Sequence, residues 1–353
     1  MIIYVFLLLA CFLLFRISKD KTKSLIISFI LITLVAALRK YTVGADTVQF
    51  YSDFSNIITD SSWNYNNFRY EPGFYYLCKL LGLITSDPQI LLIITSIIIN
   101  FSVYKFIKNN SNDYCLSAIL YILMLYFFSN MNIMRQALAL SILLFGFNYL
   151  KEKKYLKYII VVAIASLFHT VAFASLLLLV FLILPNKKMV YFIQCILACI
   201  SFVFYKQLFK ILSLGFGYES YATSEFGVSN YFGSVLSALE IFAIGLLLIV
   251  FSERKKEDSK NDIEKILTIA YILYIWFSFL TIRMNIFNRI SGLFGIYNIV
   301  FIPYLLKKIL EKNETTYFML KFVCLCVYMM SFFIISIYRP EWYGAIPYYF
   351  FWQ

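Results

Sequence analysis

The chain has 353 residues, of which 62% are hydrophobic and 14% charged. A soluble domain carries roughly a quarter charged residues, so this composition excludes a water-soluble globular protein and leaves no room for a large soluble domain. The net charge of +12 is scattered over short loops between apolar runs, which argues against a nucleic-acid partner and matches the charge bias that orients membrane helices.

Hydrophobic runs of about bilayer-crossing length recur down the whole chain. The expected fold is an all-α, polytopic integral membrane protein of one domain, residues 1–353, with about twelve transmembrane helices. In chain order the spans fall near 2–15, 24–38, 88–107, 114–129, 132–150, 155–169, 170–185, 189–205, 234–251, 265–282, 288–306 and 317–337. The first run is short enough to resemble a signal peptide. It lacks a basic leader and a small-residue cleavage site, so it reads as a span. If the spans simply alternate, Arg16–Lys23, Lys105/Lys108, Lys151–Lys157, Lys187/Lys188, Arg254–Lys265 and Lys307–Lys321 share one side, the cytoplasm, and both termini lie outside.

The run Pro72–Thr85 is apolar but short for a crossing, and counting it as one would invert every later loop. It reads as a re-entrant or interfacial helix on the outer face, which needs protein or a cavity around its backbone. Two outer loops exceed a tight turn, 39–87 and 205–233. Trp63, Tyr65 and Trp342 are outer aromatics that could stack on sugar rings, although most of the 29 tyrosines and 37 phenylalanines read as interface belt and helix packing. Cys11, Cys78, Cys115, Cys195, Cys199, Cys324 and Cys326 lie in or beside apolar runs. With a single histidine in the chain they read as small buried residues, without zinc or redox roles.

The two basic residue types part company on this topology. Of 23 lysines, 19 sit on the cytoplasmic side, whereas six of the eight arginines, Arg39, Arg69, Arg135, Arg283, Arg289 and Arg339, fall outside or at outer helix ends. Both types count equally in the positive-inside rule, so topology alone does not explain the sorting. A guanidinium grips phosphate or carboxylate with two parallel hydrogen bonds, which suits an anionic lipid head such as a pyrophosphate. The plain alternative is snorkelling, or pairing with Asp46, Asp53 and Glu71.

Arg135 is expected in the first turn of a helix, where a cation opposes the macrodipole at about 0.3–1 kcal/mol. Asn132, Arg135 and Gln136 would share one face there and present an anion site. His169, the only histidine, ends the sixth span and reads either as a general base or as a hydrogen-bonded interface residue. Asp46 and Glu71 are the nearest outer acids, each a base or an arginine partner. Glu240 falls within a span, a functional or a satisfied packing position. Arg289 opens the eleventh span ahead of Ser291, Gly292 and Gly295, whose small size at helical spacing allows close helix contact.

These residues carry a resemblance. Arg39 with Gly44-Ala45-Asp46 and Tyr51, then Tyr70-Glu71-Pro72-Gly73-Phe74, Asn132-Ile133-Met134-Arg135-Gln136-Ala137-Leu138-Ala139, Phe168-His169, and Arg289 ahead of a helix ending near Pro303 follow in order along nearly the full chain. The set resembles the Wzy-type repeat-unit polymerases of bacterial polysaccharide assembly, in their EpsG-like branch. The resemblance implies a GT-C-like membrane fold and a glycosyltransferase on the outer face of the plasma (inner) membrane. Its substrates would be undecaprenyl-pyrophosphate-linked oligosaccharides, with the growing chain passing from its lipid onto a newly flipped repeat unit to give O-antigen, capsule or a similar polymer. On that reading Arg135 and Arg289, assisted by Arg39, hold the donor pyrophosphate, with Gln136, Asn132 and Tyr51 in support. His169, Asp46 or Glu71 activates the acceptor hydroxyl. No metal or cofactor is expected, and membrane lipid and a chain-length regulator are the implied partners. A ligase joining polymer to a lipid core fits the same chemistry. A flippase would carry the lipid without breaking a bond, but an internal repeat of the transporter kind is not evident.

Overall fold

A computed structural model describes residues 1–59, 70–184, 187–216, 231–252 and 262–353. Helix starts follow local chemistry at the polar turns. α1 (Ile2–Ile17) and α2 (Lys21–Ala37) are joined by a turn in which the Asp20 carboxylate accepts from the Thr22 and Lys23 amides at 2.9 and 3.0 Å. That caps two of the amides a helix leaves unpaired at its start. The Lys21 ammonium donates to the Phe15 and Ser18 carbonyls at 2.5 and 3.1 Å, at the negative end of α1.

The chain continues through α3 (Thr47–Thr59), α4 (Pro72–Gly82), α5 (Gln89–Asn110), α6 (Tyr114–Leu123), α7 (Tyr126–Asn132), α8 (Met134–Lys151) and α9 (Tyr155–Ser166). A 3₁₀ turn over Thr170–Ser175 leads into α10 (Leu176–Ile183). Then follow α11 (Lys187–Val203), α12 (Tyr205–Phe216), α13 (Tyr231–Ser252), α14 (Asp262–Thr281), α15 (Phe287–Gly295), α16 (Asn298–Leu310) and α17 (Glu314–Tyr338). Among the described residues the protein is all-helical, and extended pairing is limited to one bridge between Arg39 and Phe350.

Three described helices, α5, α14 and α17, are long and apolar enough to cross a membrane, and the count rises to six if each bent pair is one span. The pairs are α6–α7, bent by 54°, α11–α12, by 96°, and α15–α16, by 46°. Shorter apolar helices such as α1, with 16 residues, reach about 24 Å at 1.5 Å per residue, less than a hydrocarbon core of about 30 Å. The spans expected as continuous at 114–129 and 288–306 are thus broken. At the first, Leu125 adopts a left-handed φ of 62°, which no helix can pass through.

The expected loop 39–87 also holds structure. α3 and α4 pack on each other through Phe50, Phe54, Ile57, Phe74, Cys78 and Leu81. At 11 residues α4 is about 16 Å long, too short to span. Tyr205–Phe216 is helical rather than loop, while 217–230, Trp63, Tyr65, Arg69 and Arg254 lie outside the described residues.

The chain divides into two compact units, 1–146 with 160–172 and 325–353, and 147–159 with 173–324. In the first, α2 packs on α5, and α1 and α2 both pack on α6. A C-terminal strap then returns along the chain entering α3. The Gly44 and Ala45 amides donate to Gly344 and Tyr343 carbonyls at 2.8 and 3.2 Å, and Lys40 and Phe351 amides to Tyr349 and Leu38 carbonyls at 2.9 Å. Gly44 and Gly344 have φ of 111° and 58°, conformations open to glycine. In the second unit α14 is central, packed by α10, α11, α13, α15 and α16. Small polar side chains join it to its neighbours: Trp276 Nε1 donates to Ser201 Oγ at 2.6 Å, and Ser278 and Ser291 share a 2.6 Å hydrogen bond.

Candidate functional site: a carboxylate held between arginine, histidine and a backbone amide

Within the first unit, the run Tyr70-Glu71-Pro72-Gly73 starts α4, and each residue has a separate task. Pro72 fills the first helical position, where its missing N–H is no loss. Gly73 brings the backbone against the turn after α9: its amide donates to the Leu167 carbonyl at 2.6 Å, and a Cβ there would lie 2.6 Å from the same oxygen. This contact sets Glu71 beside His169 and Thr170. Glu71 Oε1 accepts from the Thr170 amide at 3.0 Å, and Oε2 accepts from Arg135 Nη1. The Arg135 guanidinium lies over the Tyr70 ring, 3.9 Å from its centroid, so one dipeptide supplies both the anion and the aromatic face.

The cluster is recessed but open. The Glu71 and Arg135 side chains are 14% and 15% exposed, while the His169 side chain is 5% exposed. Arg135 Nε, like Arg39 Nε, is buried without a hydrogen-bond partner among the described residues. His169 Nδ1 lies 3.9 Å from Glu71 Oε1, beyond hydrogen-bond reach, and instead accepts from the Val171 amide at 3.2 Å. A ring nitrogen that accepts carries no proton, so neutral His169 bears its proton on Nε2.

Arg39 occupies a different setting. It is 1% exposed and donates to the Ala36 carbonyl, to Ser96 Oγ at 3.3 Å and to the Met131 carbonyl at 3.1 Å. It lines a small cavity of mixed polar and apolar walls with Ser96, Asn100, Tyr121 and Asn130, in which Asn130 donates to Tyr121 at 3.0 Å and Tyr121 to Asn100 at 3.1 Å. Burial pulls its pKa down to about 10, opposed by Tyr4 and Tyr348, and it remains a cation at neutral pH.

Asn132 closes α7 and α8 begins at Met134, so the expected single polar face of Asn132, Arg135 and Gln136 is interrupted. Asn132 Oδ1 accepts from the Ala45 amide at 2.8 Å and Nδ2 donates to the Tyr343 carbonyl at 2.6 Å. Gln136 is buried on α8, and Asp46 is exposed at the start of α3. Tyr51 rests its ring 5.2 Å from that of Tyr41 and donates to Asp87 at 3.4 Å. Arg289 is half-buried on α15 and Glu240 lies on α13, both in the second unit. Arg283 stacks over Phe202, 4.4 Å from its centroid, and Arg339 meets Glu341 at 3.5 Å. Among the described residues no three His, Cys, Asp or Glu side chains gather as metal ligands.

The structure therefore joins Glu71, Arg135 and His169. Sequence reasoning missed the roles of Tyr70, the Thr170 amide and the strap carbonyl of Tyr343. The motif around Tyr70 was a usable signal, but a backbone amide leaves none.

No curated protein and no solved structure matches the chain. The model of the EpsG family matches residues 22–350, which takes in the Glu71–Arg135 cluster, Asn132, Arg289 and nearly all of the strap, and the chain belongs to the EpsG family.

Proposed function

We propose that the protein is a glycosyltransferase that joins undecaprenyl-pyrophosphate-linked oligosaccharide repeat units into a surface polysaccharide, on the outward (periplasmic) face of the bacterial inner membrane. Twelve crossings of the membrane, counting the short and bent helices, keep the lysine-rich turns in the cytoplasm. The observation that carries this reading is the Arg135 guanidinium, recessed, stacked on Tyr70 and already holding a carboxylate. A phosphate presents the same oxygens to the same donors.

In the reaction the acceptor hydroxyl oxygen bonds to the donor's anomeric carbon. The bond from that carbon to the pyrophosphate oxygen breaks, and its electron pair leaves on the pyrophosphate. Arg135 stabilises the charge that develops there, and Arg289 is a separate candidate for that role carried by the resemblance alone. Pyrophosphate taking Arg135 frees Glu71 Oε2, which accepts the hydroxyl proton while Oε1 stays on the Thr170 amide. His169 has Nδ1 engaged by the Val171 amide, which leaves Glu71 the preferred base of the three candidates. Arg39, turned toward backbone carbonyls, supports from within. A chain-length regulator is the expected protein partner.

The test uses purified protein in detergent with a lipid-pyrophosphate-linked repeat unit, comparing wild type with Arg135→Ala and Arg289→Lys. A polymer ladder from wild type and its loss in folded variants is the expected result. Wild type that binds the lipid but never lengthens the glycan would move a lipid-linked oligosaccharide flippase ahead.

A further inference from the structure

We propose that Asn132 is a positioning residue for Arg135, acting as the joint between the C-terminal strap and the helix that carries the arginine. The proposal rests on the assignment of Arg135 to the lipid pyrophosphate. Arg135 stands three residues beyond Asn132, across the break at Ile133 between α7 and α8. A helix that restarts this close to a binding residue needs its starting direction fixed from outside itself.

Three contacts fix it. The Met131 carbonyl accepts from buried Arg39, Asn132 Oδ1 accepts from the Ala45 amide, and Asn132 Nδ2 donates to the Tyr343 carbonyl. The Ala45 amide is shared, since it also points at Tyr343 O, at 3.2 Å. One side chain must therefore accept on one edge and donate on the other, which a planar amide does and a carboxylate, a hydrocarbon or a short hydroxyl at this position does not. The surroundings leave no slack: a Cβ on Gly44 would lie 2.9 Å from Asn132 Oδ1, and one on Gly344 would lie 2.7 Å from Ala45 N. The backbone before Arg135 is thus pinned by Arg39, Ala45 and the strap, while its guanidinium is held by Glu71 and Tyr70. A displacement of about 1 Å at a reacting group costs on the order of a hundredfold in rate, so the joint bears on turnover without touching substrate.

Asn132→Asp is the discriminating variant. It keeps the acceptor for Ala45 and sets a carboxylate oxygen against the Tyr343 carbonyl. The full-length variant is expected to fold, to bind the lipid pyrophosphate, and to lose about tenfold or more in kcat. Amide exchange is expected to quicken at Thr170, whose N–H reports the Glu71 arrangement. In an Arg135→Lys background the same change should cost less than about twofold more, because residues acting through one group are not additive. A full multiplicative loss in that background, or unchanged Thr170 exchange in folded Asn132→Asp, overturns the proposal. Should Asn132→Asp fail to fold, Gly344→Ala displaces the strap from the other side and is held to the same two criteria. The exchange measurement needs no substrate, so absence of polymer from wild type removes the catalytic reading while the positioning claim is still decided.

Discussion

Arg39 and Arg135 flank the same helix break and answer the same question, how a guanidinium is kept out of water, in opposite ways. Arg39 is 1% exposed and bonds to the carbonyls of Ala36 and Met131, near the ends of α2 and α7. Helix C-termini carry partial negative charge, and these acceptors are fixed in the backbone. Arg135 is recessed but reachable and bonds to one side-chain carboxylate. Fixed carbonyls cannot be traded for a ligand, but a carboxylate can. Of the arginines on one side of the expected topology, Arg39 thus has fixed backbone acceptors and Arg135 an exchangeable one.

Glu71→Gln sharpens the contrast most. The amide keeps the shape and still accepts from Thr170, but it takes no proton at neutral pH. If Glu71 is the base, kcat falls by about 10²–10⁴-fold while lipid binding holds or tightens. A variant with near-wild-type turnover leaves Glu71 a placeholder for phosphate and moves the base elsewhere.

Truncating each arginine should separate activity from stability. Arg135→Ala is expected to lower turnover by about 10²–10³-fold with a smaller change in thermal unfolding than Arg39→Ala, since the Glu71 carboxylate keeps the Thr170 amide and some water. Arg39→Ala is expected to lose about 3 kcal/mol or more of stability, because it strands two buried carbonyls and leaves a gap. Thermal unfolding in detergent beside a polymer assay reads both. Equal stability losses in the two variants would erase the distinction drawn between them.

Much of this was legible in the sequence because it rests on residue chemistry. The apolar runs and the parting of arginine from lysine along the chain both follow from side-chain type. The Tyr70-Glu71-Pro72-Gly73 run stands out as part of the family resemblance, with Glu71 read there as a base or an arginine partner. What stayed hidden depends on backbone placed by distant chain. Leu125 carries no sign of its left-handed conformation, so α6 and α7 read as one helix. Asn132 reads as a partner of Arg135 on one face because the expected helix starts at 132, two residues ahead of its start at Met134. The Tyr343 carbonyl, 211 residues from Asn132, is invisible to any local pattern. Arg39 and Arg135 are the same residue type near the same expected surface, and only burial tells them apart.

The smallest expected effect tests whether Arg135 is held by geometry or by charge alone. Its guanidinium carbon lies over Tyr70, 3.9 Å from the ring centroid. The carboxylate of Glu71 supplies attraction from one edge, but a single Nη1–Oε2 bond leaves rotation about that axis. The ring removes that freedom and keeps water from one face of the ion. Tyr70→Phe retains the face, so its activity should stay within about twofold of wild type. Tyr70→Leu keeps bulk without the quadrupole and is expected to lose about 0.5–2 kcal/mol of transition-state stabilisation, read as a fall in kcat/KM of roughly 2- to 30-fold. If Phe and Leu behave alike, the ring contributes only volume, and the ion pair with Glu71 is sufficient to hold the exchangeable arginine in place.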